Sequence, residues 1–66
     1  MATKLKVERI KRDWSQTEVA ARTQNIVGQA KLSMIERGLK PDPREAAALA
    51  VAFGLPPDIL FAEIGE

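Results

Sequence analysis

An all-α fold of five short helices is predicted by three features of the sequence. Apolar residues recur at helical spacing, no alternating stretch is long enough for a convincing strand, and turn signals cut the chain at short intervals. The 66 residues are 45% apolar and 29% charged, which places the chain above the low-hydrophobicity regime of disorder. Residues 1–66 are expected to form one compact domain, because a single core usually takes about 50–200 residues.

The first helix is predicted from Lys4 to Asp13, with Leu5 and Ile10 inward, Val7 flanking and Trp14 closing the segment. Ser15-Gln16-Thr17-Glu18 reads as a capping box that starts a second helix, running to Arg22 or Thr23 and burying Val19 and Ala20. Gln24-Asn25 is the predicted break, since asparagine tolerates the left-handed conformation that often follows a helix. A third helix is predicted over 28–37, with Leu32 and Ile35 inward together with Val27 or Ile26, and with Gly38 as its stop. Asp42-Pro43-Arg44-Glu45 is a second capping box, and its proline takes the first helical position, where a missing N–H costs nothing. The fourth helix follows from Pro43 to Phe53, rich in alanine, and Gly54 ends it. Leu55-Pro56-Pro57-Asp58 opens a short fifth helix that carries Ile59, Leu60 and Phe61.

Composition removes most enzymatic chemistry. With no cysteine and no histidine there is no disulfide, thiolate nucleophile, imidazole base or zinc site built on sulfur or imidazole. The remaining carboxylates form no pair in a context that suggests burial or metal binding, so the expected protein is not an enzyme and takes no metal or cofactor. No apolar run approaches the roughly 20 residues of a membrane span, and the N-terminal residues lack the apolar core of a signal peptide; a cytoplasmic location is expected.

A net charge of +1 conceals a polarised chain. Residues 1–40 carry +5 and residues 41–66 carry −4. One basic and one acidic end suggest an oriented encounter with a polyanion, with the N-terminal part facing it; a solvated helical surface is the bland alternative.

Two short helices joined by a tight turn, the second rich in exposed polar groups, describe a helix-turn-helix whose second helix enters the major groove of DNA. Leu5-Lys6-Val7-Glu8-Arg9 followed by Ser15-Gln16-Thr17-Glu18-Val19-Ala20 resembles the opening of lambda-repressor/Cro-like domains of the XRE type. Leu32-Ser33-Met34-Ile35-Glu36-Arg37-Gly38 resembles the end of that family's recognition helix. Pro41 and Pro43, Leu49-Ala50, Ala52-Phe53-Gly54-Leu55 and Asp58-Ile59-Leu60-Phe61 are similar to its last two helices, so the resemblance covers nearly the whole chain. The stretch between Ala20 and Leu32 is longer than the family's usual spacing and lacks its turn glycine; Gly28 comes later. Where the extra residues fall sets the register of 23–28.

The resemblance implies a role for each matching position. Gln16, at the start of the second helix, corresponds to a phosphate contact aided by the positive helix end, although a glutamine there is also a plain solvated helix former. Gln29 falls early on the recognition helix, where its amide suits adenine; Ala30 suits a thymine methyl, and Lys31 suits guanine or a phosphate. Met34 lies on the same face and would touch thymine or close the edge of the core. Arg9 and Glu36 match the family's structural ion pair, while Arg37, Lys40 and Lys4 or Lys6 match positions that hold the sugar-phosphate backbone.

The implied function is a sequence-specific regulator of transcription that binds double-stranded DNA, a repressor acting as a homodimer on a palindromic operator. Dimer contacts are expected from the acidic half, around Phe53, Leu55, Pro56, Leu60 and Phe61, since DNA repels that half and a small core should not absorb all its apolar residues. A second reading is a protein-interaction module, such as an antitoxin or anti-repressor component, in which Phe53, Leu55, Leu60, Phe61 and Ile64 engage a protein partner.

Overall fold

The structure, a computed structural model, describes residues 2–64, with side chains described from 3 to 62. In chain order the elements are β1 (Ala2–Thr3), α1 (Lys4–Lys11), α2 (Gln16–Arg22), α3 (Gln29–Glu36), α4 (Pro43–Phe53), α5 (Pro57–Leu60) and β2 (Glu63–Ile64). The expected five-helix, all-α architecture is present. To it is added an antiparallel pair of two-residue strands, with Ala2 opposite Ile64 and Thr3 opposite Glu63, a pairing too short to leave any periodicity in the sequence. No described helix is long and apolar enough to cross a membrane. The side chain of Ile64, expected at a protein interface, lies outside the described residues.

Hydrogen bonding at the helix ends explains where each helix stops. The first three close with the same pattern, in which the amide two residues past the cap reaches back to the third-last helical carbonyl and the amide before it reaches the next one. After α1 these bonds are Trp14 N–H to Arg9 O and Asp13 N–H to Ile10 O; after α2 they are Asn25 to Ala20 and Gln24 to Ala21; after α3, Leu39 to Met34 and Gly38 to Ile35. The pattern demands a left-handed residue just past the cap. Only the third has a glycine there, Gly38 at φ 119°; Asp13 and Gln24 adopt φ 60° and 57°. The first helix therefore ends at Lys11, two residues short of the expected Asp13, because the left-handed signal sits on an aspartate.

Helix α3 starts at Gln29, one residue later than expected, and the start of α2 differs in its capping. Ser15 Oγ accepts from Glu18 N–H at 3.0 Å, but the Glu18 carboxylate lies 2.9 Å from Arg22 Nε, one turn along α2, instead of closing a capping box. The box at α4 is complete: Asp42 Oδ1 accepts from Glu45 N–H at 2.8 Å and Glu45 Oε1 accepts from Asp42 N–H at 3.0 Å.

Leu5, Val19, Val27, Leu32, Ile35, Leu49, Phe53 and Leu60 form the buried core, with Trp14, Ile26, Ala52, Leu55 and Phe61 packed against it. Ile10, expected inward, is 58% exposed. Ile10 lies about 140° round α1 from buried Leu5; the face of Leu5 is shared by Glu8, a buried carboxylate that the sequence did not mark: Arg12 lies 2.6 Å from it, Lys11 3.4 Å and Lys4 3.9 Å. Phe53 and Leu60 are corrected as well. Both are core residues, 4% and 0% exposed, because α4 and α5 close the bottom of the globule with their largest side chains; Trp14 meets Phe53 edge-to-face at 5.2 Å. Of the five residues expected at a dimer contact, Leu55 and Phe61 are half-buried and Pro56 is exposed.

Candidate nucleic-acid interface

The turn from α2 to α3 occupies residues 23–28 and is built by one hydroxyl. Thr23 is buried; its Oγ1 donates to Ala20 O at 3.1 Å and accepts from Val27 N–H at 3.3 Å. That bond closes the left-handed pair Gln24-Asn25 and drives Val27 into the core. The extra residues thus lie before Gly28, which becomes the N-cap of α3, in an extended conformation and without a side-chain cap bond. Gln29 is the first helical residue.

At 3.6 residues per turn, Gln29, Ala30, Ser33, Met34 and Arg37 fall within one arc of about 140° on α3. Of these, Gln29, Ala30, Met34 and Arg37 are exposed, while Leu32, Ile35 and Glu36 on the other side are buried. Met34 is 46% exposed and so does not close the core. Lys31 lies outside this arc by about 60°. Its ammonium sits 3.0 Å from Glu45 Oε2 on α4, a partner 14 residues away that no local spacing pointed to.

The inner end of α3 is held from two sides. Arg9 Nε donates to Glu36 Oε2 at 2.6 Å and Nη2 to Oε1 at 3.2 Å, and Nη1 donates to Trp14 O at 2.9 Å. Gln16 Nε2 donates to the same Glu36 Oε1 at 3.2 Å. One planar guanidinium therefore satisfies both oxygens of a carboxylate that is only 5% exposed, a fork geometry lysine could not supply. The sequence marked Arg9 and Glu36 as partners; it did not mark Gln16 or the Trp14 carbonyl as members. Gln16 is half-buried, and the side-chain amide expected on a phosphate donates one hydrogen bond to Glu36.

A second basic cluster braces the base of the domain. Arg12 donates from Nη2 to Phe53 O at 2.9 Å at the C-terminus of α4, where a cation also meets the negative end of the helix dipole. Its guanidinium lies 5.2 Å from the Phe53 ring and 5.5 Å from that of Trp14, and Arg22 covers Trp14 at 4.1 Å. The hydrogen bond from Arg12 holds the Glu8 carboxyl below the usual glutamate range, assisted by Lys11 and opposed by burial. These arginines are structural. Lys6 lies exposed on α1, and Lys40 lies exposed in the connection from α3 to α4, lining a small cavity with Ile35, Leu39 and Phe61.

Short helices joined by a fixed turn, the second with its inner flank locked and its other face exposed, define a helix-turn-helix. The helix-turn-helix family model matches residues 5–60, from α1 through α5. The chain belongs to this XRE-type, lambda-repressor-like family of DNA-binding transcription regulators. No curated protein and no solved structure matches the chain.

Proposed function

We propose that the chain is a sequence-specific regulator of transcription that lays α3 in the major groove of double-stranded DNA. The observation that carries this reading is the lock on Glu36: Arg9 and Gln16 fix the inner flank of α3 while Gln29, Ala30 and Met34 stay free on the outer one. An amide at the first helical position enters deepest and can pair with adenine N6 and N7, and the two apolar side chains suit thymine methyls. Arg37 and Lys40 at the far end of α3, with Lys6, supply phosphate contacts.

Repression in the cytoplasm by a dimer on a two-fold operator completes the reading. One such module buries only about 600–1,000 Å² on DNA, too little for tight binding alone. With Phe53 and Leu60 committed to the core, the dimer surface is formed by Leu55, Pro56 and Phe61, joined by Ile59, which is 45% exposed. A second reading, docking of a partner protein, is favoured by α4: Val51 is 83% exposed and borders a groove of about 370 Å³ shared with Ile26, Ala47, Ala48 and the arginines Arg22 and Arg44.

The test is selection of a preferred duplex from a random pool, followed by titration of wild type and Gln29→Ala on that duplex and on a random one. Gln29→Ala should lose about 1–3 kcal/mol on the selected site and relax preference at one base pair. Equal weakening on both duplexes would move base reading away from Gln29. A wild type that enriches no duplex would remove the function.

A further inference from the structure

Lys31 is the one cation within α3, and its position is electrostatically awkward. It stands in the first turn, where the helix dipole is positive and disfavours a cation; Gly28 supplies no side-chain cap, and that turn holds no acidic residue of its own. The compensating charge comes from α4. Glu45 is nearly buried, its side chain 11% exposed, and Oε1 is occupied by the Asp42 amide of the capping box. The other oxygen, Oε2, faces Lys31 at 3.0 Å. Swinging the carboxylate away from Lys31 would give up its half of the capping box at the start of α4.

We propose that Glu45 withholds Lys31 from the DNA backbone and so sets the sequence-independent part of the affinity. The proposal rests on the DNA-binding reading above. A free lysine beside the recognition face would attract any phosphate and strengthen binding to every sequence alike. Neutralising that lysine with a fixed carboxylate lowers the sequence-independent contribution while leaving the Gln29 contact untouched; being common to every sequence, that contribution sets overall affinity and salt dependence and cancels from the difference between sequences. Lys31 therefore leaves the set of groups that touch DNA, and its ion pair holds the outer end of α3 as Arg9 and Glu36 hold the inner end.

Salt titrations on a random duplex and on a duplex selected from a random pool test this with wild type, Glu45→Gln, Lys31→Met and the double variant. Glutamine keeps an oxygen for the Asp42 amide, and methionine keeps the stem of a side chain that is 40% exposed. Glu45→Gln should steepen the salt dependence on the random duplex by about 0.9, the slope of one added phosphate contact, and so lose about 3.5-fold more affinity between 50 and 200 mM salt. Its ratio of selected to random affinity should stay at the wild-type value, because the added contact is common to both duplexes. Lys31→Met should match the wild-type slope, and the double variant should return to it.

Lys31→Met lowering the wild-type slope by about one would overturn the proposal, because Lys31 would already touch phosphate. A folded Glu45→Gln with an unchanged slope would overturn it too. Should Glu45→Gln unfold, the Lys31→Met slope alone decides. Salt-dependent binding by wild type with a failed Glu45 prediction leaves the DNA-binding reading standing; absence of wild-type binding to every duplex overturns both.

Discussion

Arg9 makes three hydrogen bonds to two residues, Glu36 and Trp14, and the carboxylate it serves is buried on α3. Arg9→Ala leaves Glu36 with Gln16 alone and should destabilise the fold by about 3 kcal/mol, where the ranges for an unpaired buried polar group and a broken buried ion pair meet. Arg9→Lys should recover little of this, since an ammonium cannot match both oxygens at once; urea denaturation of the two variants measures it. Glu8 gives a pH-dependent counterpart. Its folded-state pKa is depressed, chiefly by Arg12, so its contribution is complete above the ordinary glutamate value and is lost as pH falls through the lowered one. Glu8→Gln should therefore be less stable than wild type near neutrality, and the gap should close on acidification through that interval. A gap that stayed constant into acid would detach the stabilisation from the Glu8 charge. Arg9 and Glu36 were legible because their motifs fix both positions. Glu8 was not: it stands at i+3 from Leu5, on the buried face, but its charge argues for solvent until three cations are seen to converge on the carboxylate, whereas Ile10 at i+5 lies about 140° round the helix.

At the level of elements, three helices end on the same turn but only α3 ends it with glycine. Gln24 holds φ 57° without the small polar side chain that makes asparagine tolerant there. Gln24→Gly should stabilise the chain by up to about 1 kcal/mol, relief of left-handed strain outweighing the added freedom of the unfolded chain. Thermal or urea unfolding reads it directly, and destabilisation would mean that the Gln24 side chain makes a contribution of its own. Boundaries marked by Gly38, Gly54 and the Asp42 box were readable because residue type and backbone demand coincide. The end of α1 was not, because an aspartate takes the place of the expected glycine. The α2–α3 turn hid its logic for a related reason: the bond that organises it belongs to Thr23, whose hydroxyl could equally have been solvated.

For the whole molecule, charge and packing divide the chain in different ways. The basic half carries the proposed reading helix, yet Arg9, Arg12, Arg22 and Lys31 all serve internal partners. Net charge counted along the sequence therefore overstates the cations available to phosphate; Lys6, Arg37 and Lys40 are exposed and remain. Packing was legible as a set of apolar residues but not as a division between core and surface: Phe53 and Leu60 are chemically indistinguishable from interface residues until α1 is seen to pack against α5. The account as a whole requires that DNA meet the molecule on the exposed arc of α3. Backbone amide shifts of isotopically labelled protein, followed by NMR while a selected duplex is added, test that requirement most directly. The largest changes should fall on Gln29, Ala30, Met34 and Arg37, with Val51 on α4 unmoved; changes concentrated on α4 with a silent α3 would contradict it.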